Sequence, residues 1–142
     1  PKDFYLPLDP LHDRPDVESQ MGDPGSLLQF VRDMITFRKE HGALQADGDF
    51  RFLTDGHVAP LVYERYTDAN GGEGERLVLA FNPSAETVQY ALRGDASTAP
   101  GSMTPDSSAF CLIREYGGSD LDASGILTLP AGSFVCVEYK SR

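Results

Sequence analysis

Acidic side chains and a histidine gather near the start of the chain, where they form a first candidate for acid–base chemistry. His12 and Asp13 are adjacent, and Asp9, Asp16 and Glu18 lie close to them in sequence. An imidazole beside a carboxylate can transfer protons or bind hydroxyl groups. Adjacent residues in a proline-rich loop usually point apart, however, and no nucleophile is placed beside them. The pattern therefore favours a structural loop, and no catalytic residue is assigned.

The segment 68–75, DANGGEGE, collects the oxygen ligands that calcium prefers. It departs from the twelve-residue calcium loop, because Gly72 holds the fifth position and Leu79 stands where the bidentate Glu is required. Asn70-Gly71 is instead a strong hairpin-turn signal. The segment predicts a solvated hairpin connection between two strands.

The two cysteines, Cys111 and Cys136, fall within apolar, strand-like stretches, which is typical of buried free thiols rather than of a disulfide framework. The three histidines, His12, His41 and His57, lack the close spacing of metal ligands. We therefore expect neither a metal ion nor a cofactor.

Charge restricts the classes of partner. The net charge is −10 and only 12 residues are Lys or Arg, which disfavours nucleic acid and anionic membrane surfaces. No apolar run approaches the ~20 residues that cross a bilayer, and no signal-peptide pattern precedes the fold. We expect no membrane partner and a cytoplasmic location.

One amphipathic helix is predicted over 24–41, with Asp23 as its N-cap, Pro24 in the first position and Gly42 as the left-handed residue that ends it. The preceding residues 1–25 carry five prolines and predict an irregular loop. Apolar residues cover a wide arc of the helix, namely Leu27, Leu28, Phe30, Val31, Met34, Ile35 and Phe37. Such an arc usually packs against more than one neighbour.

Seven short strands follow the helix, and turn signals separate them. The predicted strands are 50–53, 58–66, 76–81, 87–93, 108–116, 126–129 and 133–140, with 96–108 as a surface loop. Their alternation and spacing are typical of antiparallel sheets. The predicted fold is mainly β: an antiparallel Greek-key β-sandwich of about seven or eight strands, preceded by an irregular loop and one amphipathic α-helix.

Aromatic residues on the strands raise the alternative of a sugar-stacking surface. The candidates are Tyr63, Tyr66, Phe81, Tyr90, Phe110, Tyr116, Phe134 and Tyr139. We expect most of them in the core, and the chain has no Trp to supply the largest stacking ring.

The order of the motifs resembles a known family. The segments LPLDP, RPDVESQ, DPGSLLQFVRDMITFRKEHGAL and DGDFRFL, followed by PLVYERY, ERLVLAFNPSAETVQYAL and LTLPAGSFVCVEY, resemble the C-terminal region of glycoside hydrolase family 13, the α-amylase superfamily. The α-glucosidase and oligo-1,6-glucosidase branch is the most similar. The resemblance runs from about Tyr5 to the end of the chain.

The resemblance implies that residues 1–45 are the loop and last helix of a (β/α)8 barrel and that 46–142 form the β-sandwich called domain C. In that family the catalytic Asp and Glu residues lie upstream, on barrel strands, so no catalytic residue is transferred to this chain. The implied parent is a retaining hydrolase of α-glucosidic bonds in oligosaccharides, and this chain would be its non-catalytic, structural part.

The implied partner is the upstream catalytic barrel, and oligosaccharide would be reached only through it. Residues 8–14 would border the mouth of the active site. Without the barrel, the helix 24–41 is expected to self-associate or to fold back on the sandwich. The alternative function is a carbohydrate-binding β-sandwich module.

Overall fold

The structure is a computed structural model that describes residues 15–55, 59–67, 74–92 and 110–140. The chain divides into two compact units, 1–40 and 41–142. The division after residue 45 that the family resemblance implies stays a prediction, as does the assignment of the first part to a barrel. The predicted loop at 96–108 lies outside the described residues.

The described residues of the first unit form two helices, α1 (Val17–Met21) and α2 (Leu27–Glu40). Helix α1 corrects the sequence interpretation, which placed an irregular loop over the whole of 1–25. Asp16 nucleates it by accepting a hydrogen bond from the Ser19 amide at 2.7 Å. A five-residue helix is too short to show an apolar period, so the pattern could not predict it.

The ends of α2 also differ from prediction. Ser26, not Asp23, caps the first turn, since its Oγ accepts from the Gln29 amide at 3.3 Å and its carbonyl accepts from the Phe30 amide at 3.0 Å. Asp23 instead accepts from the Gly25 amide within the preceding turn. At the other end, Gly42 has no positive φ and begins a 3₁₀ turn, Gly42–Leu44.

The predicted wide apolar arc of α2 is only partly buried. Phe37 is buried, whereas Leu27, Val31 and Ile35, spaced four residues apart, are 70%, 43% and 49% exposed. This exposed row is called the apolar stripe. Within the described ranges no helix is long and apolar enough to cross a bilayer.

The second unit is an antiparallel β-sandwich, as predicted. Its described residues form eight strands: β1 (Asp49–Phe52), β2 (Leu61–Tyr66), β3 (Arg76–Asn82), β4 (Val88–Ala91), β5 (Phe110–Tyr116), β6 (Asp120–Leu121), β7 (Ile126–Leu129) and β8 (Ser133–Tyr139). The two-residue strand β6 was not predicted. One sheet has the order β1-β2-β3-β8-β5 and the other β4-β7-β6.

The core lies between the two sheets. The five-stranded sheet contributes Val62, Val78, Ala80, Val135 and Val137, and the other side contributes Leu92, Leu127 and Leu129. All eight are nearly or fully buried. Val135 and Val137 face the core, as the alternation predicted, but Cys136 between them is also fully buried, so this part of β8 is not half-buried.

The side chain of Asn82 joins the two sheets. From the end of β3, its Nδ2 donates to the carbonyl oxygens of Glu86 at 2.7 Å, and of Leu129 and Pro130 at 2.9 Å each. Its Oδ1 accepts from the amide and hydroxyl of Ser84. Because Asn82 is 1% exposed, no solvent replaces these partners. The amide thus fixes the β3–β4 turn and the end of β7 together.

The substitution Asn82→Asp should destabilise the sandwich by about 3 kcal/mol or more, because it places a buried carboxylate opposite three carbonyl oxygens. Urea unfolding followed by circular dichroism measures the change. Gln89→Glu is the matched control, since it makes the same chemical change at an exposed position of β4 and should cost less than about 0.5 kcal/mol. Equal effects of the two substitutions would contradict the linking role of Asn82.

Candidate functional site

Of the acidic candidates near the start of the chain, only Asp16 and Glu18 lie within the described residues. His12, Asp13 and Asp9 lie outside the described residues. Asp16 is the N-cap of α1, and Glu18 is exposed on the same helix. Across the described ranges, no three His, Cys, Asp or Glu side chains come together to hold a metal ion.

Glu75 has a structural role that its position in the acidic segment 68–75 did not reveal. Residues 68–73 lie outside the described part of the chain, whereas Glu75 is described and lies directly before β3. Its Oε2 accepts from the Ala43 amide at 2.7 Å, and its Oε1 contacts Nδ1 of His41. These partners are more than thirty residues away in sequence, so no local pattern could predict them.

Arg65 completes this attachment from the neighbouring strand. Its Nε donates to the Ala43 carbonyl at 2.8 Å and its Nη2 to the Gln45 carbonyl at 2.6 Å. Ala43 is fully buried, and Gly48 lies so close that an added Cβ would be 2.4 Å from the Ala43 oxygen. The segment 41–48 is therefore held against β2 and β3 through both its amide and its carbonyl groups.

A second charged cluster lies on the core-facing side of the large sheet. Glu64 is 4% exposed and accepts from Arg51 Nε at 2.6 Å and from Arg76 at 2.8 Å. Arg76 also lies over the ring of Tyr139, 5.5 Å from its centroid. Two guanidinium groups thus neutralise one buried carboxylate, which is the arrangement of a structural ion pair rather than of a general acid or nucleophile.

The surface that stands out is a row of six aromatic rings across the five-stranded sheet, on the face opposite the core. We call Phe50, Phe52, Tyr63, Phe81, Phe134 and Tyr116 the aromatic row. Consecutive centroids lie 5.6 Å, 6.4 Å, 6.0 Å, 5.6 Å and 6.2 Å apart. The row touches every strand of the sheet.

Strand register explains how the row forms. Phe52 pairs with Tyr63, Phe81 pairs with Phe134, and Phe134 pairs with Tyr116. Tyr116 reaches this face because the register of β5 shifts between Leu112 and Arg114. Such a bulge turns the residues that follow it to the opposite face of the sheet. Leu112 therefore packs against the core, whereas Tyr116 joins the aromatic row.

This row corrects the expectation that most strand aromatics lie in the core. Tyr90 and Phe110 do pack against the core. The face of the sheet opposite the core carries Tyr63, Phe81, Phe134 and Tyr116. Burial is partial, and it raises the pKa of Tyr63 above 10.0. Phe50 and Phe52 were missed as candidates, although their spacing of two within β1 was the available signal.

The cysteines agree with the expected free thiols: Cys136 is buried and Cys111 half-buried. Burial, with smaller effects from the Glu75 and Glu138 carboxylates, raises the pKa of Cys136 to about 12. The thiolate is the reactive form of cysteine. Cys136 therefore stays protonated and unreactive at neutral pH.

The raised pKa of Cys136 makes stability depend on alkaline pH. The pKa of its thiol is 9.0 in the unfolded chain and about 12 in the folded protein. The folded state therefore binds more protons between these values. The contribution of this thiol to the free energy of unfolding is complete below about pH 9 and is lost as the pH rises. Urea unfolding at about pH 8 and about pH 10 should show this loss.

The substitution Cys136→Ala should reduce that alkaline loss, and Cys111→Ala is the matched thiol deletion. Tyr63, with its raised pKa, adds to the loss only above pH 10. An unchanged pH dependence in Cys136→Ala would show that the thiol is not responsible.

Comparison with known proteins identifies the fold. No protein-family model matches the sequence, and no curated protein sequence matches it. Among solved structures, the chain is similar to an alpha-amylase from H.orenii, with 20% identity over 87% of this chain and 22% of that chain and a TM-score of 0.60. It is also similar to the alpha-glucosyl transfer enzyme XgtA, with 26% identity over 87% of this chain and 20% of that one and a TM-score of 0.62.

A third similar structure is the trehalose-6-phosphate hydrolase of Bacillus licheniformis, with 15% identity over 89% of this chain and 20% of that chain and a TM-score of 0.64. This chain thus spans about a fifth of the length of the solved chains that it matches. These similarities show that the chain shares its fold with the matched portions of those enzymes.

Proposed function

We propose that this chain is the C-terminal, non-catalytic part of an α-glucosidase-like glycoside hydrolase of the α-amylase superfamily. The observation that carries the proposal is the similarity of nearly the whole chain to about a fifth of enzymes named as an amylase, an α-glucosyl transfer enzyme and a trehalose-6-phosphate hydrolase. The order of the sequence motifs supports the same assignment. The complete polypeptide hydrolyses α-glucosidic bonds in oligosaccharides.

The contacts of the charged side chains support a structural role for this part. Glu64 is neutralised by Arg51 and Arg76, and Glu75 holds His41 and the Ala43 amide. Retaining glycoside hydrolysis needs two carboxylates about 5 Å apart, one of them free to act as a nucleophile. These two carboxylates are instead engaged in holding segments of the fold together.

The catalytic barrel is the proposed partner, and oligosaccharide reaches this chain only through it. Residues 1–45 supply the last loop and helix of that barrel, and 46–142 form the sandwich. The exposed apolar stripe of α2, formed by Leu27, Val31 and Ile35, supports this assignment, because an apolar helix face of this kind normally packs against protein.

The decisive test is turnover of a chromogenic α-glucoside. The 142-residue chain alone should give no turnover, whereas the polypeptide encoded together with its upstream sequence should hydrolyse the substrate. Substituting the catalytic carboxylates of the upstream part should abolish that turnover. Hydrolysis by the 142-residue chain would contradict the proposal.

The apolar stripe generates a second expectation. In isolation, the 142-residue chain should self-associate through α2 with increasing concentration, because the stripe lacks its barrel partner. Light scattering measures the mass, and the double substitution Val31→Ser and Ile35→Ser should restore the monomer. A monomer at all concentrations, with no binding of an apolar dye, would contradict this expectation.

A carbohydrate-binding module is the second candidate, and the exposure of Phe50, Phe52 and Tyr116 favours it. Titration calorimetry of the chain with malto- and isomalto-oligosaccharides separates the two functions. Saturable binding at millimolar or lower concentration would support the module, and no heat of binding supports the structural role.

A further inference from the structure

Two glutamine side chains connect α1 and α2 in opposite directions. Gln20 Oε1, from α1, accepts from the Leu28 amide of α2 at 3.0 Å. Gln29 Nε2, from α2, donates to the Met21 carbonyl oxygen of α1 at 3.0 Å. Each hydrogen bond joins residues that are eight apart in sequence, so neither belongs to a helical turn. We call these two hydrogen bonds the amide clasp.

Ser26 attaches the turn between the two helices to the same glutamine. Its Oγ donates to the Gln20 carbonyl oxygen at 2.7 Å, and Ser26 is 8% exposed. The side chain of Gln20 meanwhile satisfies an amide in the first turn of α2, where a helix leaves its donors without internal partners. Gln20 therefore contacts α2 through its side chain and the connecting turn through its backbone.

Helix α1 depends on these hydrogen bonds for its position. It has five residues and none of them is buried, so apolar packing contributes little to holding it. Isolated helices shorter than roughly 12–15 residues are marginal in water, and the hydrogen bond between Asp16 and Ser19 lies within α1 itself. The amide clasp and the Ser26 contact therefore hold α1 against α2.

The position of α1 also determines where the preceding chain must end. Asp16 has an extended backbone, with φ −128° and ψ 166°, and the ring of Pro15 fixes its own φ. Few backbone angles are thus free to vary between α1 and residues 8–14, the segment expected at the mouth of the active site. A displacement of α1 would therefore displace the end of that segment.

We propose that Gln20 and Gln29 are positioning residues for substrate binding in the longer polypeptide: the amide clasp holds α1, and α1 holds the segment 8–14 at the mouth of the active site. This inference rests on the proposed function, which supplies the catalytic part and the α-glucoside substrate. Both glutamines act through α1, and the catalytic carboxylates lie upstream. Loss of the clasp therefore lowers the affinity for substrate and leaves the chemical step in place.

The amide clasp allows a matched test, because it needs an acceptor from Gln20 and a donor from Gln29. Gln20→Glu keeps the accepting oxygen, and its negative charge is favourable at the N-terminus of α2. Gln29→Glu puts a carboxylate opposite the Met21 carbonyl oxygen, although an acid three residues after Ser26 suits the first turn of α2 itself. The two variants have the same composition and net charge, and only Gln29→Glu breaks the clasp.

Steady-state hydrolysis of a chromogenic α-glucoside by the longer polypeptide is the measurement. Gln29→Glu, and Gln20→Met, which removes the amide acceptor, should each raise KM about fivefold and change kcat by less than about twofold, as expected when one hydrogen bond that holds the binding site is lost. Gln20→Glu should keep the KM of the unsubstituted protein. Gln89→Met, at an exposed position of β4, is the control and should change neither constant.

The separation of KM from kcat distinguishes positioning from a loss of stability. A variant that only folded less well would have a smaller active fraction, and so a lower kcat at unchanged KM. That result in Gln29→Glu would overturn the inference, as would equal KM values in Gln20→Glu and Gln29→Glu. Absence of turnover by the unsubstituted longer polypeptide would contradict the proposed function and this inference with it.

Hydrogen exchange of the peptide 15–21 in the longer polypeptide is an independent readout. Exchange should be faster in Gln29→Glu and Gln20→Met than in Gln20→Glu, because α1 opens more often without the clasp. Equal exchange in the three variants would show that the clasp does not hold α1, and the inference would fail.

Discussion

The side-chain amide of Asn82 is the contact on which the sandwich depends, because it joins the end of β3 in one sheet to the backbone at the end of β7 in the other. Hydrophobic packing between Val135, Val137, Leu127 and Leu129 is strong but non-directional, and it fixes neither the register nor the spacing of the sheets. The Asn82 side chain fixes both, since its hydrogen bonds reach the β3–β4 turn and the end of β7 together. The core supplies most of the stability, and this amide supplies the alignment.

The charged residues align other segments of the second unit in the same way, through directional contacts. Glu64 draws together β1, β2 and β3 on the core-facing side, while Glu75 and Arg65 fasten the segment 41–48 on the other side. Each carboxylate connects segments far apart in sequence. Within the described residues, these carboxylates therefore hold segments of the fold together.

Much of the fold could be predicted from the sequence because it rests on local patterns. Alternation in β4 and β8, the continuous apolar run of β3 and the turn signals between them placed the strands within a few residues. The short helix α1 escaped prediction because one turn has no period, and the cap moved to Ser26 because the Asp23 side chain is used within its own turn. These errors concern a helix end and one very short helix, whose positions are set by single hydrogen bonds.

The candidate surface was harder to predict than the fold. Alternation shows which residues share a face, but only strand pairing shows which rings become neighbours and which face covers the core. Tyr63, Phe81 and Phe134 come from three strands, and Tyr116 joins them only through the bulge in β5. Contacts such as that of Glu75 with Ala43 likewise span more than thirty residues. Long-range pairing, rather than residue type, creates this surface.

The aromatic row has one residue on which its neighbours depend. Phe81 is nearly parallel to both Tyr63 and Phe134, and its ring centroid lies 6.0 Å from the first and 5.6 Å from the second. The loss of Phe81 alone would therefore remove an aromatic contact from both rings. A single substitution at the centre of the row thus alters the surface of three strands without any change of fold.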